Sequence, residues 1–278
     1  MARSRFVVVL SDLHVGSTVG LWPPRYAIED GGVYEANVYQ TWLYKCWQDA
    51  LDEIRRLRPS VVVLNGDVIQ GVNARDGQLV CSTVSAQCAA ALELLKPLRK
   101  MTQRLFVVRG SEWHEGRSSE HVELLARELG AECSSATGQY SRWELYLDLG
   151  DKITAHFAHH VGRSSVPLYE ATVPLRDMLI QLVELYRTYG QHMPDVRLVV
   201  RSHRHRYVHV DTTPWLHVVV TPSWQLKTSY AHKLVTSLLP QIGYVIVEVR
   251  DKELLVRPRL YALPTARVEG EPGDRDVR

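Results

Sequence analysis

Short apolar runs alternate with longer amphipathic segments in the first half of the chain. The runs are typical of strands buried on both faces, and apolar residues at helical spacing indicate the helices between them. The predicted strands are residues 5–10, 61–64 and 104–108, and the predicted helices are residues 36–58, 83–101 and 119–129. Pro97 predicts a kink or an early end in the second helix, and Gly130 is the predicted C′ residue of the third. This order implies parallel strands joined by right-handed crossovers.

In the second half, predicted strands crowd together. Residues 140–148 and 152–158 alternate polar and apolar positions around Gly150, a pattern that predicts a β-hairpin. Residues 171–189 are predicted to be helical, with an inner face made of Leu175, Leu179, Leu182, Val183 and Tyr186. The remaining strands are predicted at residues 196–201, 206–211, 215–220, 243–249 and 253–258. The whole pattern predicts an α/β (α+β) fold with two sheets and helices outside them.

The chain shows no internal repeat and no low-complexity linker, so we predict a single domain over residues 1–265. Residues 266–278 lack apolar periodicity and are predicted to form a flexible C-terminal tail. Residues 16–35 are a long insertion rich in Gly and Pro between the first strand and the first helix. Because this insertion carries Trp22, Tyr26 and Tyr34, we expect an ordered loop.

Composition narrows the classes of function. A formal net charge of +2 over 278 residues excludes a strongly basic nucleic-acid coat but permits a local basic groove. The apolar runs are far shorter than the roughly 20 residues that span a membrane, and the N-terminal run is too short for a signal peptide. We therefore predict a cytoplasmic protein with no membrane partner. Cys46, Cys81, Cys88 and Cys133 form no CxxC pair and are predicted to be buried free thiols.

Side chains able to bind metals follow the predicted strands where each strand ends. They are Asp12 and His14, Asp67, Glu112 and His114, His159 and His160, and His203 and His205. Ligands at the carboxyl ends of strands lie in the crevice where α/β sites form. For Asp67 alone, a carboxylate that caps a turn is an equally good interpretation. His156, His209 and His217 are interpreted as structural, and the pattern does not decide between His159 and His160.

These donor types indicate which metals the chain would hold. Mixed carboxylate and imidazole groups suit Mn, Fe, Zn, Co or Ni better than Ca or Mg, and Mn²⁺ is our first choice. A structural zinc site would be rich in cysteine, which this set is not. We predict two divalent metal ions, held by Asp12, His14, Asp67, His159, His203 and His205.

In order and spacing, the segments resemble the calcineurin-like metallophosphoesterase superfamily, whose pattern is D-x-H, G-D, G-N-H-[DE], a His and G-H-x-H. The matching positions are Asp12/His14, Gly66/Asp67, His114/Glu115, His159 and His203/His205. The opening segment from Ser11 to Leu21 looks most like members encoded in phages and prophages. The resemblance implies a four-layer αββα sandwich of two mixed sheets flanked by helices.

The resemblance also implies a role for each matching residue. One metal would take Asp12, His14, Asp67 and His205, and the other would take Asp67, His159 and His203. Asp67 would then bridge the two ions. His114 would contact the phosphate and help to protonate the leaving group, which makes it the predicted catalytic residue.

Two positions depart from the family pattern. Ser202 replaces the Gly that precedes the final His-x-His. The Asn of the Gly-Asn-His motif is replaced by Trp113 or Ser111, depending on the end from which the motif is aligned. We predict Glu112 as the substitute metal ligand, with Ser111 as the next choice and water as a further alternative.

The predicted activity is hydrolysis of phosphoester bonds by a metal-bridging hydroxide. A phosphodiesterase or nuclease acting on nucleotides or nucleic acid is the first choice, and a homo-oligomer is compatible with the sequence. A phosphomonoesterase, including a protein Ser/Thr phosphatase, and a non-catalytic metal-binding scaffold are the alternatives. Residues 66–71, Gly-Asp-Val-Ile-Gln-Gly, lack the Asp-Arg typical of protein phosphatases. Arg163 and Arg204 are predicted to contact phosphate, and Trp113 to stack on a base.

Overall fold

The computed structural model describes residues 4–72, 77–162, 166, 169–190, 195–213, 216–234 and 238–264. Arg163 and the predicted tail at residues 266–278 lie outside these ranges. Within them the chain forms thirteen strands and six helices, which are numbered here in chain order.

The elements follow the predicted alternation closely in the first half of the chain. The strands are β1 (Arg5–Leu10), β2 (Arg25–Ala27), β3 (Val33–Glu35), β4 (Val61–Asn65), β5 (Arg104–Val108), β6 (Ser141–Arg142), β7 (Glu144–Asp148), β8 (Thr154–Ala158), β9 (Val196–Arg201), β10 (Val208–Thr213), β11 (Leu216–Val220), β12 (Ile242–Arg250) and β13 (Glu253–Tyr261). The helices are α1 (Val38–Leu57), α2 (Val84–Met101), α3 (Glu112–Glu115), α4 (Glu120–Glu128), α5 (Thr172–Tyr189) and α6 (Ser229–Leu234). The three strands and three helices predicted first are confirmed, with ends that differ by at most two residues.

Two mixed sheets form the centre of the fold. The first has the strand order β13–β12–β1–β4–β5–β6, and the second has the order β10–β11–β9–β8–β7. In the first sheet β1, β4, β5 and β6 run parallel, while β12 is antiparallel to both β1 and β13. In the second sheet β8, β9 and β11 are parallel, and β7 and β10 are antiparallel to their neighbours. The prediction of an α/β fold built on two mixed sheets is confirmed.

Three apolar clusters separate the sheets from each other and from the helices. Because side chains alternate along a strand, Val8 and Leu10 of β1 pack with α1, α2 and α4, whereas Val7 and Val9 face the second sheet. The other face of the second sheet packs against Met178 of α5. The two sheets thus pack on each other, and the outer face of the second sheet contacts α5.

Residues 140–148 do not form the single strand that their alternation predicted. β6 pairs with β5 in the first sheet, and β7 pairs with β8 in the second. The chain passes from one sheet to the other at Trp143, so β7 and β8 form the predicted hairpin while β6 lies at the edge of the first sheet. Alternation shows which side chains share a face, but it does not specify the partner strand.

The helix α2 does not end at Pro97, so the predicted early end is wrong. It continues to Met101, and Leu94, Leu95 and Leu98 on its inner face are buried in the core. Proline removes one backbone hydrogen bond. Burial of three leucines around the proline offsets that loss, since each contributes roughly 1.5–3 kcal/mol.

Only part of the predicted inner face of α5 contacts the second sheet. Leu175 and Leu182 pack against the second sheet, whereas Leu179, Val183 and Tyr186 are 52%, 55% and 65% exposed. The prediction was wrong for these three residues, because a sheet contacts only one narrow stripe of a helix. Within the described residues, no helix combines the length and the apolar character needed to cross a lipid bilayer.

Residues 16–35 form an ordered loop that contains the hairpin β2–β3, in agreement with the prediction. Trp22 is fully buried and makes edge-on contacts with Tyr26 and Tyr34. At the start of α1, the side-chain amide of Gln40 donates to a backbone carbonyl of the loop at 3.0 Å. The loop that follows the first polar motif is therefore fixed to α1.

All four cysteines are free, as predicted. Cys46 and Cys81 are buried, but Cys88 is partly buried and Cys133 is exposed. The predicted burial therefore holds for two of the four, and burial raises the pKa of the Cys46 and Cys81 thiols to about 11.

Candidate metal centre

The two sheets are joined where their parallel strands end. Asn65, the last residue of β4, donates from Nδ2 to Ser202 Oγ at 2.6 Å and to the Ala158 carbonyl at 3.1 Å. The hydroxyl oxygens of Ser11 and Thr221 lie 2.6 Å apart and form a second hydrogen bond between the sheets. The segments that follow β1, β4, β8 and β9 therefore meet at one edge of the sandwich.

The backbone is left-handed at five of the candidate ligands. The φ values are 52° at Asp12, 47° at His14, 50° at Asp67, 72° at His203 and 55° at His205. These are five of the eleven described non-glycine residues with positive φ. Each such conformation costs about 1–3 kcal/mol, and this strain tends to concentrate at functional sites. The turns after β1, β4 and β9 therefore direct these side chains through strained backbone conformations.

A glycine allows two of these turns to lie against each other. Gly66 has a φ of 87°, and a Cβ at this position would lie 2.3 Å from His159 Nδ1. Its carbonyl accepts a hydrogen bond from the Asp12 backbone N–H at 3.0 Å. Any side chain at position 66 would displace the imidazole of His159 from the centre.

The first group of donors is formed by Asp12, His14 and His205. The Nε2 atoms of the two imidazoles lie 3.1 Å apart, and His205 Nε2 lies 3.4 Å from Asp12 Oδ1. His14 Nε2 lies 3.9 Å from the same carboxylate oxygen. Asp12 and His14 are buried, so three ligand atoms converge where little water competes for them.

The second group of donors is formed by Asp67, His159 and His203. His159 Nε2 and His203 Nδ1 lie 3.1 Å and 3.8 Å from Asp67 Oδ2. His159 Nδ1 lies 2.8 Å from the Asn65 carbonyl and donates to it, which directs Nε2 into the centre. The neighbouring His160 is exposed and belongs to neither group, so the structure favours His159 of the two adjacent histidines.

The two groups adjoin each other. His159 Nε2 of the second group lies 4.0 Å from Asp12 Oδ1 of the first, and Asp67 also forms a third group with His14 and His114. Both Asp12 Oδ1 and His159 Nε2 are buried and lack a hydrogen-bond partner with acceptable geometry. Buried polar atoms rarely stay unpaired, and cations between the groups would satisfy both atoms. The residues present therefore fit two divalent ions.

The electrostatics of the centre favour ionised carboxylates. Burial by itself raises the pKa of Asp12, but the close contact with His205 and the charges of the neighbouring imidazoles lower it to about 2. The pKa of Asp67 is held well below its usual range in the same way, chiefly by His159. Burial and the neighbouring imidazoles depress the pKa of His14 well below 6.5, so its ring is neutral at pH 7. Ionised carboxylates and neutral imidazole are the forms that bind metals.

His159 has the opposite shift. Burial would lower its pKa, but the negative charge of Asp67 raises it to about 10. In the absence of a cation the ring therefore holds a proton on the nitrogen that points into the centre. A cation bound at His159 Nε2 would displace this proton, as metal binding to protein ligands generally does.

His114 lies at the edge of the centre, where the predicted catalytic group should be. Its Nδ1 is 2.7 Å from the Gln70 carbonyl and donates to it, which leaves Nε2 for other contacts. Its ring packs edge-on against that of His14, with centroids 4.4 Å apart. His114 is only partly buried, so it can meet a ligand that enters from solvent.

Ser111, the second choice for the substitute ligand, contacts Asp67, whereas Glu112, the first choice, does not belong to a donor group found among the described residues. The Ser111 N–H and hydroxyl donate to Asp67 Oδ1 at 2.7 Å and 3.0 Å, and Ser111 is buried. Glu112 is exposed and belongs to none of the three groups found among the described residues. Ser111 is the N-cap of the short helix α3 and Glu112 is its first residue, and only Ser111 is buried.

Glu115 is a functional candidate that the sequence pattern showed only as part of a motif. It is buried, and its carboxylate accepts hydrogen bonds from Gly110 N at 2.5 Å and Val68 N at 3.3 Å. Burial, followed by the charge of Asp67, raises its pKa to about 8. Glu115 thus holds the turns after β4 and β5 together. No local pattern shows that this residue points inward from a one-turn helix.

The predicted substrate-binding residues differ in their positions. Arg204 is almost fully buried and its Nη1 donates to the Glu170 carbonyl at 3.1 Å. Trp113 is 53% exposed on α3, next to His114. Arg163 lies outside the described residues. Arg204 therefore bonds to the protein itself, and Trp113 is exposed to solvent beside the centre.

The other histidines have partners away from the centre. His156 is buried, stacks on Tyr146 and accepts from Gln181 Nε2 at 2.8 Å. His209 Nε2 and His217 Nδ1 lie 3.0 Å apart on adjacent strands. None of the three belongs to a donor group found among the described residues, which agrees with their structural interpretation.

Comparisons with known proteins identify the fold but not a close relative. No family model and no curated protein matches the chain. Among solved structures, a dimetal phosphatase from Danio rerio matches with a TM-score of 0.50 at 11% identity, covering 92% of this chain and 96% of that one. Two variants of Vps29 from Entamoeba histolytica match with a TM-score of 0.41 at 14% identity, covering 92% of this chain and 99% of theirs.

The chain has a metallophosphoesterase-like fold. This follows from the match to the dimetal phosphatase over nearly the full length of both chains. At 11% identity the likeness extends to the fold alone. Function has to be argued from the donor groups at the ends of the strands.

Proposed function

We propose that this chain is a dinuclear metal-dependent phosphoesterase. The proposal is carried by one observation: two adjoining groups of mostly buried carboxylate and imidazole donors, with Asp67 near both. All six predicted ligands lie in these two groups. The proposed sharing of Asp67 between the two ions is supported by the third group, in which Asp67 lies with His14 and His114. The layered order of helices and sheets supports the four-layer αββα arrangement that the same resemblance implies.

In this proposal, Asp12, His14 and His205 would hold one metal ion, His159 and His203 would hold the other, and Asp67 would contribute its carboxylate to both. Two divalent ions at this place, Mn²⁺ being our first choice, would neutralise phosphoryl oxygens and lower the pKa of water. The protein positions the donors: Asn65 orients His159, and Ser111 orients Asp67 through two hydrogen bonds. His114 Nε2 is the group that stabilises charge on the leaving oxygen and supplies its proton.

Ser111 replaces Glu112 in the proposal as the residue that takes the place of the family's Asn. We expect Ser111→Ala to weaken binding of one of the two metals by about 10–100-fold, because Asp67 loses a donor that fixes its orientation. Glu112→Gln should leave both affinities within about twofold, since its side chain is exposed. Titration of the metal-free variants with Mn²⁺, followed by electron paramagnetic resonance, measures the metal affinities of both variants. If Glu112→Gln alone weakens metal binding, Glu112 is the ligand instead.

The proposed substrate is a phosphodiester in a nucleotide or nucleic acid. The partly buried His114 and the exposed ring of Trp113 lie side by side on α3, so a base could stack next to the hydrolysed bond. The segment from Ser11 to Leu21, which resembles phage-encoded members, supports a nucleic-acid substrate. Segment 66–71 lacks the Asp-Arg of protein phosphatases, which argues against a phosphoprotein.

The proposal is tested by assaying the purified chain with Mn²⁺ against three substrates. We expect bis-p-nitrophenyl phosphate and single-stranded DNA to be hydrolysed faster than p-nitrophenyl phosphate, because the substrate is proposed to be a diester. Trp113→Ala should raise KM for DNA while leaving that for the small diester unchanged. Faster cleavage of the monoester would assign a phosphomonoesterase, and metal binding without any hydrolysis would assign a scaffold.

A further inference from the structure

One residue, Glu170, contacts the loop that carries His203 and His205 from its outer side. Glu170, which precedes α5, places Oε2 at 3.0 Å from Arg206 Nε and Oε1 at 3.8 Å from Arg204 Nη2. Its backbone carbonyl also accepts a hydrogen bond from Arg204 Nη1 at 3.1 Å. The two arginines flank His205 in the sequence, so Glu170 holds the loop on both sides of this ligand.

This cluster differs from an ordinary surface ion pair in its burial. The side chain of Arg204 is 6% exposed and that of Glu170 is 12% exposed, while Arg206 is 29% exposed. Exposed pairs are screened by water and contribute little. Removal of one partner of a buried charge pair is usually strongly destabilising, so loss of the Glu170 carboxylate should disturb the position of Arg204 in the loop.

The backbone of the loop contacts the interior, as do its two imidazoles. The His203 N–H donates to Asp12 Oδ2 at 3.2 Å, and the His205 carbonyl accepts from Gln241 N at 2.8 Å. Both histidines have left-handed φ values, which the chain does not adopt without support from its surroundings. Glu170 supplies that support on the outer side, and it belongs to none of the donor groups found among the described residues.

We propose that Glu170 is a positioning residue for the ligands His203 and His205, and that it sets the affinity of the chain for divalent metals without touching them. The proposal rests on the proposed metal centre. It also gives Arg204 a role different from the predicted contact with phosphate. Through its contacts with Glu170, Arg204 fixes the position of the loop. Partners that orient metal ligands in this way typically change metal affinity by about 10–100-fold.

The test is a titration of the metal-free protein with Co²⁺, followed by its visible absorption spectrum. Glu170→Gln keeps the size of the side chain and removes its charge. We expect it to weaken Co²⁺ binding at least about tenfold and to alter the absorption bands, because the imidazoles of His203 and His205 lose their fixed orientation.

The matched control is Glu184→Gln, which breaks the exposed pair of Glu184 with Arg187 farther along α5. It should bind Co²⁺ with the affinity and spectrum of the original chain. Arg206→Gln is a second variant for the case that Glu170→Gln folds poorly. Because Arg204 keeps its carboxylate in this variant, we expect a loss of affinity smaller than that of Glu170→Gln but larger than that of the control.

Two results would overturn the positioning role. One is a Glu170→Gln variant with unchanged Co²⁺ affinity and spectrum, and the other is a lower melting temperature of the metal-free protein with no change in affinity. If the original chain itself binds no Co²⁺, the proposed metal centre fails as well. A chain that binds Co²⁺ but hydrolyses none of the substrates contradicts the proposed function alone, and the effect of Glu170 remains measurable.

Discussion

Replacement of Asp67 by asparagine is expected to reduce phosphoester hydrolysis by about 10³-fold or more. Asp67 Oδ2 lies 3.1 Å from His159 Nε2 and 3.8 Å from His203 Nδ1. Asp67 also belongs to a donor group with His14 and His114. A carboxylate placed between two metals contributes charge to both, and an amide contributes none. Steady-state rates and metal content by atomic emission should therefore fall together.

Asparagine is the appropriate replacement because the backbone at Asp67 is left-handed, a conformation that Asn accepts at low cost. The amide oxygen can still accept the hydrogen bond from the Ser111 N–H. Asp151→Asn is the matched control, since Asp151 also has a positive φ but pairs with Arg5 on the surface. Retention of two metals and of the original rate in Asp67→Asn would refute the dinuclear centre.

The second large effect is expected at His114. We expect His114→Ala to lose about 10²–10⁴-fold in kcat, the usual contribution of a general acid, while the protein keeps its metals. The Nδ1 of this ring donates to the Gln70 carbonyl, so Nε2 is the nitrogen available to the substrate. Comparing kcat for diesters with good and poor leaving groups measures the role, because only a poor leaving group needs the proton.

His114 also lies within reach of His14 and Asp67, so a role as metal ligand is the competing explanation. The two explanations differ in one measurement. Loss of a metal ion from His114→Ala would make His114 a ligand, whereas full metal content with a slow reaction supports the general acid. His121→Ala is a suitable control, because His121 is exposed on α4 and belongs to no donor group found among the described residues.

The linear pattern was sufficient for the main strands and for most of the donors that the fold brings together. Val61–Asn65 is apolar and β-branched over most of its length, which is typical of a strand buried on both faces. A polar residue directly after such a strand lies at the edge of the sheet where sites form. For this reason Asp12, Asp67 and His203 were candidate ligands from their positions in the sequence, and the fold brings them into adjoining donor groups.

The pattern was insufficient wherever the direction of a side chain depends on a distant segment. Glu112 and Ser111 are neighbours, and only the position of Asp67 opposite α3 makes Ser111 the inward residue. His159 and His160 are equivalent in sequence, but the Asn65 carbonyl selects His159.

The sequence by itself determined the alternation of the main strands and helices in the first half of the chain, the mixed α/β fold and the types of donor that follow the strands. These depend on local periodicity and on residues adjacent to strand ends. The tertiary structure decided the change of sheet at Trp143, the exposed side of α5 and the engagement of Arg204 by Glu170. Such features arise from contacts between segments that lie far apart in the chain, and neither periodicity nor composition records those contacts.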